Sequence, residues 1–521
     1  MMNLSFFGRK LQHLFSPYFQ FNFNSFFIQL CYFMIMSVFG YLGLKVSKPK
    51  TYVKPKNFDL FYTSVSASTV SSMTAIEMEV FSNSQLVLIT FLMFFGGEVF
   101  ISLLELVFAR FNNNSFTSMK NDYSVKVSTN NSLPIKKVND QIELGLVSIP
   151  NHHSSQDQNQ VIDVNYDINN KDMLLRSNSL KYLSHVVLGY FLVLQFVGTF
   201  LVSMYMSFIP SARQVLREKG IKTLTFSLFT IVSTFASCGY VPTNENMIVF
   251  KKNSGLLIII LPYILLGNTL YAPCLRFVIW VLEKITKREE FSYLLKNSKE
   301  IGYGHLLPAL HSWLLVATVL GFNIIQFVIF CSMEWGTQIT DGLNPYQKFV
   351  ASLFQITNAR HSGESVFDLS TISSAILVLF VVMMYLPPYT TFMPIMDHKT
   401  ENDAKRDKRS LVECLLFSQL SYLVIFIILI CITENKSLIE DPLNFNVFNI
   451  TLEVISAYGN VGFSMGYSCA RRLKANGSCK DLWVGFSGKW SNKGKFILIL
   501  VMFFGRLKKF NMKGGKAWDL S

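Results

Sequence analysis

Charge is scarce in this 521-residue chain: Asp, Glu, Lys and Arg make up 15% of it, against about 25% in an ordinary soluble domain. Signatures of chemistry are missing as well. The eight cysteines form no CxxC pair and no zinc-ligand spacing. Most of them (Cys31, Cys274, Cys331, Cys414 and Cys431) lie inside apolar runs, where a small buried hydrophobe is the ordinary role. The eight histidines form no HxxxH cluster, and there is neither a GxxxxGK[ST] phosphate loop nor a GxSxG turn. An integral membrane enzyme and an ATP-driven pump therefore lose their support, and no cofactor is expected. The first two dozen residues carry Arg9, Lys10 and His13 but no signal-peptide cleavage pattern. The apolar run that follows reads as a retained membrane helix.

What is present is apolar. Half of the residues are hydrophobic, 48 are Phe, and the mean hydropathy is +0.34; these values describe a polytopic membrane protein. The net charge of +14 could suggest nucleic acid, but the basic residues are spread through loops between apolar runs, as membrane topology is written. Runs near the ~20 residues needed to span a bilayer fall at 25–46, 85–109, 183–208, 254–282, 306–333, 371–394, 412–433 and 495–510. They make eight crossings.

Between paired runs lie four short polar interruptions. The first, Asp59 to Met73, is crowded with hydroxyls and too short to cross a bilayer. The others end in Ala236-Ser237-Cys238-Gly239-Tyr240, Arg360-His361-Ser362-Gly363-Glu364 and Tyr458-Gly459-Asn460-Val461-Gly462-Phe463. Irregular backbone at membrane depth is tolerated where it lines a cavity holding water or ions. The expected fold is therefore all-α and polytopic, with four helix–pore loop–helix repeats around a central cation pore.

The stretch 110–181 differs: it is polar, rich in Asn and Ser, and without sustained helical period, so it is expected to be a disordered cytoplasmic insert. It also explains the spacing. Ser72 to Gly239 is 167 positions, Gly239 to Gly363 is 124 and Gly363 to Gly462 is 99; removing about 70 insert residues brings the first interval near the last, as a repeat requires. The division is then 1–109 for the tail and first repeat, 110–181 for the insert and 182–283 for the second repeat. Residues 284–395 hold a linker and the third repeat, and 396–521 a linker, the fourth repeat and the tail.

Basic loops follow the second helix of each repeat: Arg110 and Lys120; Lys284, Lys287 and Arg288; Lys405, Arg406, Lys408 and Arg409; then Lys508 and Lys509. The positive-inside rule puts these loops and both termini in the cytoplasm. Lys45, Lys48, Lys50, Lys54 and Lys56 dissent, on the pore-loop side. With pore loops outward, Asn435 and Asn476 begin the accessible glycosylation sequons. Asn449 leads into the fourth pore loop and is expected to be too buried. Cys469 and Cys479 lie ten residues apart outside the cell, where a disulfide and two free thiols are equally expected.

A dehydrated monovalent cation needs oxygen ligands in place of water, and backbone carbonyls of an extended loop supply them. Gly239, Gly363 and Gly462 suit the tight point of such a loop, and the first loop has Ser72 there. One glycine alone would more often mark a plain turn; four matching settings make a filter the better reading. A short helix before each loop, such as 346–357, would aim its negative end at the ion.

Long runs carry a resemblance over nearly the whole chain: Thr63-Ser64-Val65-Ser66-Ala67, Thr69-Val70-Ser71-Ser72-Met73, Glu77 to Asn83, Val241 to Met247, Asn358 to Glu364, and Gly505-Arg506. They resemble the plant high-affinity potassium transporters (HKT) of the Trk/Ktr/HKT superfamily. Ser72 matches the class I branch, for which the resemblance implies passive sodium transport at the plasma membrane, serving sodium recirculation and salt tolerance. A sodium–potassium symporter or potassium uptake system on the same fold is the alternative. The resemblance also implies a homodimer in membrane lipid. It implies that the Arg506 side chain projects into the pore, against an interfacial anchor as the plain reading.

The sites expected from both lines are a filter at Ser72, Gly239, Gly363 and Gly462, and pore or vestibule positions at Asn244, Glu364 and Arg506. Asn246 could join Asn244 as a neutral oxygen donor. Glu77, Glu79 and Glu364 either draw cations or fix the loops, while Arg360 and His361 suit bracing. Ser72 is expected to turn one carbonyl away while its hydroxyl narrows the ring, which penalises potassium.

Overall fold

The computed structural model describes residues 25–51, 54–108, 110, 157–391, 419–473 and 479–511. Four repeats are laid out in chain order. The first is Ser25–Val46, a pore helix Asn57–Ser68, and Asn83–Gly96 continued by Glu98–Phe108. The second is Asp157–Phe208, pore helix Thr223–Phe235, and Ser254–Leu266 continued by Tyr271–Thr286. The third is Ala309–Glu334, Pro345–Asn358 and Ser374–Tyr385; the fourth is Gln419–Thr433, Val447–Gly459 and Asn492–Asn511.

Local sequence sets these boundaries. Ser82 and Gln85 close a capping box at the start of Asn83–Gly96. The Gln85 amide also donates to the Leu44 and Ser47 carbonyls at 2.9 and 3.1 Å, locking the first repeat's two spanning helices together. Asn344 and Gln347 repeat the box before Pro345, which stands where a helix needs no N–H.

Several expected spans are corrected. The run 85–109 is two helices bent by 53°, and 254–282 is two bent by 85°. By length and composition three described helices can cross a membrane, or five if each bent pair is one span. Among its described residues the run 371–394 is α-helical only over Ser374–Tyr385, since Pro387 and Pro388 cannot continue it. Residues 412–418 lie outside the described residues.

Both breaks fall beside the same kind of close contact. A Cβ on Gly96 would overlap the Ser68 carbonyl, and one on Gly267 the Phe235 carbonyl. Each second helix thus presses a glycine onto the last turn of its pore helix, and its backbone turns there. Gly505 does the same at the Tyr458 carbonyl, but the fourth helix stays continuous.

The insert is also corrected in part. Helix Asp157–Phe208 starts well before residue 181. Leu180 and Leu183 are buried in one core with Phe291 and Leu294 of helix Glu289–Lys296, and Arg176 donates to the Glu300 carbonyl at 3.1 Å. Packing overrides a polar composition that lacked helical period. Residues 111–156 lie outside the described residues.

Candidate functional site

The four pore helices end at one place. A Cβ built on Gly239 would overlap the Ser362 carbonyl, one on Gly363 the Val461 carbonyl, and one on Gly462 the Ser72 side chain. The Tyr240 hydroxyl donates to the Met73 carbonyl at 2.8 Å and ties loop 2 to loop 1. The loops therefore close a ring in the order 1, 2, 3, 4.

All four expected filter positions have positive φ: 52° at Ser72, 88° at Gly239, 67° at Gly363 and 104° at Gly462. Ser72 keeps the left-handed sign of the glycines, at a cost of about 1–2 kcal/mol for an L-residue. What distinguishes loop 1 is the side chain, wedged at the seam with Gly462.

The loop amides point back into the pore helices. Ser71 N–H donates to the Ser66 carbonyl at 2.8 Å, Cys238 N–H to that of Ser233 at 2.8 Å, and Val461 N–H to that of Ser456 at 3.0 Å. In loop 3 Asn358 does this work, taking Gly363 N–H on its carbonyl at 3.1 Å and Glu364 N–H on Oδ1 at 3.2 Å. With the donors consumed, the acceptors are left over. Among the described residues no hydrogen bond takes the carbonyl oxygen of Gly239, Gly363 or Gly462, and that of Ser72 receives only Thr74 Oγ1 at 3.4 Å. Carbonyls with at most one long protein contact, at the negative ends of four helices, suit a cation stripped of water.

Around the ring, the other expected residues sort themselves. Glu364 is fully buried and accepts from Thr234 Oγ1 at 2.5 Å. Asn244 and Asn246 spend their side-chain oxygens on backbone N–H groups: Asn244 on Glu79 at 3.1 Å, and Asn246 on Met247 and Ser365 at 2.8 and 3.3 Å. They brace loop exits. Arg360 donates to the Pro387 and Pro388 carbonyls at 2.8 and 3.2 Å. His361 bridges the Thr357 carbonyl and Thr269 Oγ1.

Arg506 is 1% exposed, donates to the Gly96 carbonyl at 2.5 Å and stands over the Phe33 ring. A snorkelling anchor would reach for water, so that alternative is overturned. Its position follows from Gly505 against pore helix 4 and Gly96 against pore helix 1.

Past the ring, Cys469 and Cys479 form a disulfide with Cα atoms 5.9 Å apart, at the mouth of a turn paired through Tyr467 and Leu482. Asn435 is exposed, Asn449 is buried, and Asn476 lies outside the described residues.

An acid–base network at the loop exits escaped the sequence reading. Glu77 pairs with Lys480, and Lys219 Nζ lies 2.5 Å from both Glu79 Oε1 and Glu245 Oε2. Partial burial lowers the Lys219 pKa, but its hydrogen bonds to Glu245 and Glu79 outweigh this and lift it above the ordinary lysine value. It is a permanent cation. Glu245 and Asn244 are adjacent, but nothing in the sequence brings Lys219 to residue 79.

Fold and ring together define a multi-pass membrane cation transporter built from four pore repeats. Residues 172–512 match the family profile of TrkH, a cation transport protein. "Sodium transporter HKT1" of Arabidopsis thaliana is 49% identical over 490 residues, 92% of each chain. "Cation transporter HKT1;3" of Oryza sativa subsp. japonica is 48% identical over 501 residues, 95% of this chain and 92% of the other. The potassium transporter TrkH from Vibrio parahaemolyticus has the same fold, with a TM-score of 0.51 at 13% identity over 95% of this chain and 85% of that one. The chain belongs to the HKT branch of the TrkH cation transport proteins.

Proposed function

We propose that this chain is a passive, channel-like sodium pathway of the plasma membrane, with the ring of Ser72, Gly239, Gly363 and Gly462 as its selectivity filter. The observation that carries the reading is the ring itself: four left-handed positions, three of whose carbonyls have no protein donor and the fourth only Thr74 Oγ1, with the Ser72 side chain packed against Gly462. The relative named a sodium transporter, similar over nearly its full length, supports sodium as the ion. Asn244, Glu364 and Arg506 belong to this path as a loop brace, a buried carboxyl behind the ring, and a charge below it. Sodium recirculation, salt tolerance and a homodimeric assembly remain part of the proposal on the family resemblance.

The test is a two-electrode recording in oocytes with separate sodium and potassium gradients. A reversal potential that follows external sodium alone is expected. One that follows both ions establishes sodium–potassium transport on the same fold, and no current tracking either ion removes the pathway.

In this reading the filter loops face outward and both termini lie inside. Asn435, exposed at the start of a short helix beyond Thr433, is then open to glycosylation, whereas Asn113 is not. A glycan mapped by mass spectrometry to Asn435 is the expected result; one on Asn113 would reverse the orientation.

A further inference from the structure

We propose that Lys219 is a tethered cation that sets how strongly the mouth of the path attracts sodium, by neutralising the Glu79 and Glu245 carboxylates. The inference rests on the sodium reading above and adds to it the residue that fixes ion entry. Glu79 follows filter loop 1 and Glu245 follows filter loop 2. Asn244 clamps the two exits together, its N–H donating to Glu79 Oε1 at 2.9 Å while its Oδ1 accepts from Glu79 N–H at 3.1 Å. The ammonium that joins their carboxylates comes from the turn before pore helix 2, held by Lys50 Nζ on the Lys219 carbonyl at 2.5 Å.

The charge balance gives this geometry a consequence. Two carboxylates and the ammoniums of Lys219 and Lys50 sum to zero; without Lys219 the cluster carries one negative charge. The side chains of Lys219, Glu79 and Glu245 are 15%, 23% and 26% exposed. Ions at the mouth can therefore sense them, while the surrounding protein limits screening. A mouth of one sign raises the local concentration of its counter-ion. Lys219 withholds that attraction, so entry depends on bulk sodium.

Lys219→Gln is expected to lower the half-saturating sodium concentration of the current about threefold at low ionic strength. The difference should shrink as impermeant salt is raised, because the part of the field that passes through solvent is screened. Glu245→Gln should move half-saturation the opposite way, and Lys219→Arg should leave it in place. External calcium should block Lys219→Gln alone, because two freed carboxylates suit calcium's hard oxygen coordination. A merely structural lysine would change surface expression and current amplitude, not half-saturation or calcium block. Unchanged half-saturation in both Lys219→Gln and Glu245→Gln, in oocytes where the wild type carries sodium current, overturns the inference. Should Lys219→Gln fail to reach the surface, Glu245→Gln carries the test by itself. Absence of sodium current in the wild type overturns instead the function on which the inference rests.

Discussion

Ser72→Gly is expected to conduct potassium alongside sodium. Of the four residues at the ring, Ser72 alone carries a side chain, and it holds the same positive φ as its glycine counterparts. The substitution therefore asks for no new backbone shape. It removes a left-handed strain of about 1–2 kcal/mol, offset by the roughly 0.5–1 kcal/mol that glycine loses on ordering, so the fold should survive. What goes is the wedge against Gly462. A Cβ on Gly462 would already collide with the Ser72 side chain, so the seam between loops 1 and 4 is fully packed. Emptying it lets the ring widen towards a larger ion. A relative permeability shift of tenfold corresponds to about 1.4 kcal/mol, within reach of one altered ligand. The converse change, glycine to serine at Gly239 or Gly363, should abolish conduction, because there the new Cβ meets the backbone carbonyl of Ser362 or Val461. The measurement is the reversal potential as external potassium replaces sodium. A Ser72→Gly protein that reaches the surface, carries sodium and still ignores potassium would show that the wedge does not set selectivity.

The ring was legible in the sequence because it breaks a strong pattern. Small and polar residues interrupt apolar runs four times at comparable spacing, and hydropathy cannot hide that. The bends could not be read the same way. Residues 254–282 stay apolar through Gly267, and the chain turns where that glycine meets the Phe235 carbonyl, a contact between segments that Gly505 makes without a turn. Helix Asp157–Phe208 was missed at its start for a related reason. Its contacts at Leu180 and Leu183, made with helix Glu289–Lys296 among others, join segments far apart in sequence. The positive φ of Ser72 could not be read from the sequence, because propensity disfavours it for serine, whereas the closed ring over-determines it. Lys219 was invisible for a simpler reason: it and Glu79 stand 140 residues apart, and no local rule joins two exposed-looking charges across such a gap.

Arg506→Gln should raise inward sodium current. The guanidinium is sealed from water beside the carboxyl ends of pore helices 1 and 4, which Gly96 and Gly505 touch at the Ser68 and Tyr458 carbonyls. Those helix ends favour a cation, and Arg506 supplies a permanent one where the transported ion would otherwise gain. At an effective dielectric constant of 20, two unit charges about 8 Å apart repel by roughly 2 kcal/mol. Removing the charge should therefore raise current by up to about thirtyfold and weaken rectification. Glutamine is the milder replacement because it keeps a neutral amide near the position of Nε, two bonds short of the Nη2 that donates to the Gly96 carbonyl. An alanine would orphan that oxygen beside the bend at Gly97, costing about 1–3 kcal/mol in a buried site, and would confuse lost charge with lost structure. The same recordings should be normalised to surface protein. If Arg506→Gln reaches the membrane at wild-type levels with amplitude and rectification unchanged, the charge is not felt by the ion. The arginine would then serve only as the clamp that its bond to Gly96 describes, pinning the continuous fourth helix to the broken second helix of repeat 1.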